Sequence, residues 1–123
     1  MNYIDTDHKE QYYNLIVRMG AESDRERQAL AYLITADTEC RQHIERIYDF
    51  IDGCIIPECL SESWQTGTSV KTCRLAFNLF NGGLAWSAEE DRDLVTPAEL
   101  FACELAPYYW QAIRIRYPEY TDE

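Results

Sequence analysis

Apolar and polar residues alternate along this chain with the period of a helix. Tyr12, Leu15, Ile16 and Met19 recur three and four positions apart, the spacing that gathers side chains on one helical face. Asp7 with Glu10 three residues on reads as an acidic capping box. Gly20 suits the left-handed residue that closes a helix. A first helix is therefore expected over residues 7–19. Ser23-Asp24-Arg25-Glu26 reads as a second capping box, and Ala29, Leu30, Leu33 and Ile34 supply the stripe of a helix running to residue 35. After a short break at Ala36-Asp37, residues Cys40, Ile44, Ile47, Tyr48 and Ile51 form a stripe at i, i+4, i+7, i+8 and i+11. Glu39, Arg41, Glu45, Arg46 and Asp49 fall between them, so this segment reads as a third helix ended by Gly53.

The pattern loosens over residues 54–67, where Pro57, Ser61, Ser63 and Gly67 interrupt it and Trp64 stands among them. A short helical turn after Pro57 is expected there, and the segment is the best loop candidate in the chain. Thr68 or Ser69 can cap a helix over residues 70–81. Cys73, Ala76, Phe77 and Phe80 lie on one face of it and Leu75 and Leu79 widen that face, which marks it as the central core helix. Asn81-Gly82-Gly83 ends it, and an acidic stretch from Ser87 to Asp93 follows. Thr96-Pro97-Ala98-Glu99 is the clearest helix start, with a Thr cap, Pro at the first position and Glu at the third. Leu100, Phe101, Leu105, Trp110 and Ile113 carry the pattern on to residue 117. Pro107 predicts a kink or restart near Leu105-Ala106, and Pro118 stops the helix.

The fold expected is mainly all-α: a single domain over residues 1–123, of four to six helices around a central apolar helix. There is room for a minor two-stranded element near residues 54–66 or 84–96. No repeat, heptad array or interdomain linker interrupts the chain. Its 123 residues fit one domain.

Charge narrows the function. Eleven Lys+Arg stand against 22 Asp+Glu, a formal net charge of -11. Direct binding to nucleic acid is not expected, because neutralising phosphates needs clustered Lys and Arg. Anionic membranes are disfavoured in the same way, and no apolar run is long enough for a membrane span. Such a surface attracts basic proteins, nucleic-acid enzymes among them. The imbalance is local as well. No basic residue falls between Ile47 and Val70, and only Arg92 falls between Leu75 and Ile113. Met1-Asn2-Tyr3-Ile4-Asp5 has neither the basic nor the apolar region of a secretion signal, so a cytoplasmic protein with reduced thiols is expected.

Candidate chemistry is sparse. The cysteines are Cys40, Cys54, Cys59, Cys73 and Cys103. Cys40 and His43 stand at CxxH spacing with Cys54 and Cys59 beyond, a loose zinc pattern. Buried thiols acting as small hydrophobes are the simpler reading. His8, in the first turn of the first helix, reads as exposed or capping. No phosphate loop, HExxH, GxSxG or EF-hand loop occurs. No enzyme, metal or cofactor is therefore expected. Aromatics are the remaining anomaly. Tyr108-Tyr109-Trp110 cannot all face a core, and Tyr and Trp are favoured interface anchors.

Three segments carry a resemblance: Ile4-Asp5, His8, Tyr12 and Leu15; Asp24, Ala29 and Tyr32-Leu33; and the run Arg74-Leu75-Ala76-Phe77-Asn78-Leu79-Phe80-Asn81-Gly82. Together they resemble a family of small uncharacterised proteins from phages and mobile elements of Gram-positive bacteria. The resemblance implies a mobile-element setting and no catalytic residues. Small acidic proteins in that setting include inhibitors of host defence, of anti-CRISPR and anti-restriction type. The expectation is a non-catalytic acidic binding protein whose partner is a basic protein such as a nuclease. Its contact residues would be Glu89, Glu90, Asp91 and Asp93, then Glu58, Glu62, Trp64 and Tyr109. The alternative is a helical accessory protein that binds itself, a homodimer being one form.

Overall fold

A computed structural model describes residues 1–81 and 94–121. Four helices of eleven residues or more dominate the described residues: α1 (Thr6–Met19), α2 (Arg25–Ala36), α5 (Gly67–Asn81) and α7 (Ala106–Arg116). Single-turn helices join them: α3 (Thr38–Gln42), α4 (Ile44–Ile47), α6 (Pro97–Leu100) and α8 (Pro118–Thr121). Strands β1 (Tyr48–Asp49) and β2 (Cys54–Ile55) form a small antiparallel hairpin, and a 3-10 turn follows at Pro57–Ser61. The domain is mainly helical with a minor two-stranded element, as expected, but the hairpin spans residues 48–55, so only its second strand falls within the expected 54–66.

The central helix is α2 and not the one over residues 70–81. Every residue from Ala29 to Ala36 is buried, because α1, α3, α5 and α7 all pack around it. Ala29, Ala31 and Ala36 let those neighbours approach closely, while Leu30, Tyr32, Leu33 and Ile34 fill the space between them. Helix α5 packs beside α2 and buries Cys73, Leu75, Ala76, Phe77, Leu79 and Phe80.

Caps fix the boundaries. Asp5, not Asp7, caps α1, its carboxylate accepting from the His8 N–H at 2.8 Å. Asp24 caps α2 through the Arg27 N–H, and Asp37 caps α3 through the Cys40 N–H. Thr66 and Ser69 cap α5 reciprocally, each side chain accepting from the other's N–H. Gly20 takes φ +67° at the end of α1. Pro107 begins α7 rather than kinking a longer helix, so the expected restart falls between α6 and α7.

The long third helix does not form. Tyr48 pairs with Ile55 and Asp49 with Cys54. The Asp49 carboxylate accepts from the N–H groups of Ile51 and Asp52, which turns the chain. Gly53, at φ +68°, completes the turn. Ile51 therefore stands 97% exposed at the tip, not in an apolar stripe. The hairpin is tied to α2 by Arg27, which donates to Tyr48 Oη at 2.9 Å, to the Gly53 carbonyl at 2.6 Å and to Asp24 at 2.6 Å.

Candidate functional site

The leading acidic candidates, Glu89, Glu90, Asp91 and Asp93, lie outside the described residues. Glu58, Glu62 and Trp64 sit on and just after the 3-10 turn; Glu58 is exposed, while Glu62 is half-buried and paired with Arg46. The Glu62 carboxylate takes the Arg46 guanidinium through both oxygens and the Trp64 indole N–H at 2.8 Å. Those donors, Arg46 first, pull its pKa down to about 2. Trp64 stacks on His43 at 4.2 Å with a 6° interplanar angle. Glu62 and Trp64 thus close a chain of contacts, Arg46 to Glu62 to Trp64 to His43, which fastens α4 and the end of α3 to the segment before α5.

Tyr109 is completely buried, contrary to its expected contact role. It lies on the inner face of α7, its hydroxyl 2.7 Å from Thr72 Oγ1 and its ring edge-on to Phe101. Trp110, one residue on, turns outward and is 51% exposed. A helix advances 100° per residue, so one of the two had to face out.

His8 is also corrected: it is fully buried and not exposed. Its Nδ1 accepts from the Ile4 N–H at 3.1 Å, so Nε2 carries the proton and donates to the Tyr32 carbonyl at 3.0 Å. Tyr3, Tyr32 and Tyr108 surround the ring. Burial lowers its pKa, and the Arg41 charge adds to that, against raising contributions from the Tyr32 carbonyl and Asp5. The loose zinc pattern does not assemble. Cys54 is exposed on β2, Cys40 and Cys59 are buried, and His43 is engaged with Trp64 and the Glu39 carbonyl. Among the described residues no group of three or more His, Cys, Asp or Glu is placed to hold a metal ion.

An acidic groove lies elsewhere. Asp37, Glu39 and Glu104 line a groove of about 370 Å³ between α3, the start of α5 and the residues before α7. Thr38, Thr66 and Thr68 line it too, and no Lys, Arg or His does among the described residues. Asp37 is nearly buried as the cap of α3, and desolvation raises its pKa. Thr68 Oγ1 donates to Glu104 at 3.4 Å. Sequence reasoning missed this site because Glu39 and Glu104 are 65 residues apart and neither belongs to a run. The other side of α3 is basic. Arg18, Arg41 and Arg46 line a second groove of about 330 Å³, with Glu45. Each of these cations has an internal partner: Arg18 pairs with Glu45, Arg46 with Glu62, and Arg41 donates twice to the Thr35 carbonyl.

The Arg74–Asn81 run that carries the resemblance forms the second half of α5, where its apolar members pack the core. Among the described residues no helix is long and apolar enough to cross a membrane. No curated protein and no solved structure matches the chain. A family described as a family of unknown function (DUF6075) matches all of residues 1–123, and the chain belongs to that family.

Proposed function

We propose that this chain is a non-catalytic acidic binding protein of a mobile element that occupies the basic, nucleic-acid-binding groove of a defence enzyme in the cytoplasm. An inhibitor of anti-CRISPR or anti-restriction type is the specific form of the reading. The observation that carries it is the segregation of charge on a chain of net charge -11. The Asp37–Glu39–Glu104 groove offers carboxylates with no cation in its described lining, while Arg18, Arg41 and Arg46 are tied up internally. A basic side chain entering that groove would meet both carboxylates and threonine hydroxyls. Glu58 and the acids at residues 89–93 add to the negative charge of the chain.

The test is a cleavage assay with a purified Cas9-type nuclease and with a restriction endonuclease. Inhibition should weaken steeply with added salt, since exposed charge contacts are screened over roughly 8 Å at physiological ionic strength. Glu39→Lys with Glu104→Lys should reduce it at least tenfold, and reversal of Glu89, Glu90, Asp91 and Asp93 should reduce it further. Inhibition unaffected by salt and by both sets of reversals would refute the electrostatic account.

A second reading is favoured by the outer face of α1, where Tyr13 is 50% and Val17 66% exposed one turn apart. Self-association through that face would give a concentration-dependent mass in light scattering, abolished by Val17→Asp. A constant monomer mass would remove this reading.

A further inference from the structure

Three buried cysteines from three elements meet beside α2. Cys40 comes from α3, Cys59 from the 3-10 turn and Cys73 from α5, and all three are fully buried. The Cys40 and Cys73 sulfurs are 3.6 Å apart, at van der Waals contact. Gln65 covers the cluster, its amide nitrogen 3.6 Å from Cys73 Sγ and donating to the Cys59 carbonyl at 3.1 Å. Gln65 itself is only half-buried and belongs to the irregular segment ahead of α5.

The three thiols are not equivalent. Contacts with Cys40, with Cys59 and with the Gln65 amide lower the Cys73 pKa, against burial, which raises it. Contact with Cys73 and burial raise Cys40, and the same two causes raise Cys59. Cys73 is the central member of the cluster, its sulfur in contact with Cys40 Sγ and with the Gln65 amide.

We propose that Cys40 and Cys73 form a redox-responsive dithiol that closes to a disulfide on exposure to a peroxide. The Cys73 thiolate attacks one peroxide oxygen. An S–O bond forms, the O–O bond breaks, and the departing hydroxide leaves as water after taking up the thiol's proton. Cys40 then attacks Cys73 Sγ as its thiolate: the S–S bond forms, the S–O bond breaks, and the second oxygen leaves as water with the Cys40 proton. Two thiols and one hydrogen peroxide give one disulfide and two waters. The bond would staple α3, which is capped by Asp37 and carries Glu39, to the middle of α5. Reduction by a dithiol restores both groups.

The experiment uses the purified full chain in its native state. It is treated with hydrogen peroxide, quenched, denatured and alkylated with N-ethylmaleimide, then cut with trypsin. Cleavage after Lys and Arg leaves Cys40 on residues 28–41, Cys73 on 72–74, Cys54 and Cys59 together on 47–71, and Cys103 on 93–114. The expected product joins peptide 28–41 to peptide 72–74, and the thiol count in denaturant falls from five to three. Dithiothreitol should reverse both changes. Cys59→Ala should leave the bond intact, whereas Cys40→Ser should abolish it. Five alkylated cysteines after treatment, a bond from Cys73 to peptide 47–71, or an intermolecular bond through exposed Cys54 would each overturn the proposal. The mapping is made on the unmutated chain, so the answer does not depend on a variant folding.

Discussion

Replacing His8 by Phe should remove a pH-dependent latch on the first five residues. The imidazole holds the Ile4 N–H on Nδ1 and the Tyr32 carbonyl on Nε2 inside a shell of tyrosine rings. Phenylalanine fills most of that volume and makes neither bond. The Tyr32 carbonyl keeps a contact from Thr35 Oγ1 at 3.2 Å, so its loss costs about 1 kcal/mol, while an unpaired Ile4 N–H adds about 1–2 kcal/mol. The variant should therefore unfold about 2–3 kcal/mol more easily at pH 7.5, a large share of a typical domain's stability of roughly 5–15 kcal/mol.

The pH dependence has a definite sign. The folded protein holds His8 below its ordinary value of 6.5 because burial disfavours the cation. Between the folded and unfolded values the unfolded chain binds the extra proton. The contribution is fully present above 6.5 and is lost as pH falls from there through the folded value. Within that window the wild type loses about 1.4 kcal/mol per pH unit from this group. A second proton on the ring would also set an N–H on Nδ1 against the Ile4 N–H. Urea denaturation of both proteins from about pH 7.5 to about pH 5 reads the effect. Taking the difference between them cancels the titration of the groups that both proteins share. The gap should narrow toward acid. A gap that stays constant, or widens as pH falls, would refute the assignment of His8 as a buried neutral donor.

Other outcomes follow from single contacts. Gly20→Ala and Gly53→Ala should each cost about 1–2 kcal/mol in thermal melts, because both glycines have positive φ. Tyr109→Phe should cost about 1 kcal/mol through loss of its hydroxyl contact with Thr72, whereas Trp110→Ala should leave the urea midpoint nearly unchanged because the ring is half exposed. Arg46→Ala should let the Glu62 pKa rise from about 2 toward the ordinary 4.5 in a carboxyl NMR titration, with little change in melting temperature, since the pair lies at the surface. Asp37→Ala should cost about 1 kcal/mol by uncapping α3 and Asp37→Asn much less, because asparagine also caps.

Helices α1, α2 and α5 were legible because each has both a period and a capping side chain, whereas Leu105 offers α7 no side-chain cap. Asp24, Gly20, Thr96 and Pro107 mark boundaries that the backbone obeys. The β-hairpin was hidden by coincidence of period: Cys40, Ile47 and Tyr48 are buried as a helical stripe requires, although they belong to three different elements. What turns the chain there is the Asp49 side chain and the left-handed Gly53, both local signals that the apolar stripe overrode. His8 looked exposed because its partners are backbone groups, at Ile4 and Tyr32, and backbone groups leave no trace in a sequence pattern. The acidic character was plain from composition, but its placement was not. Glu62 is neutralised by an arginine 16 positions away, while Glu39 and Glu104 come together from opposite halves of the chain.

The central claim is that exposed carboxylates engage a basic partner. It is tested most directly by a tagged pull-down from nuclease-treated bacterial lysate containing a Cas9-type nuclease and a restriction system. Wild type is run beside Glu39→Lys/Glu104→Lys, with low- and high-salt washes. The account predicts that one of these enzymes is retained by the wild type at low salt, released at high salt, and not retained by the variant. Equal retention by both proteins, or recovery of nothing but the bait, would contradict it.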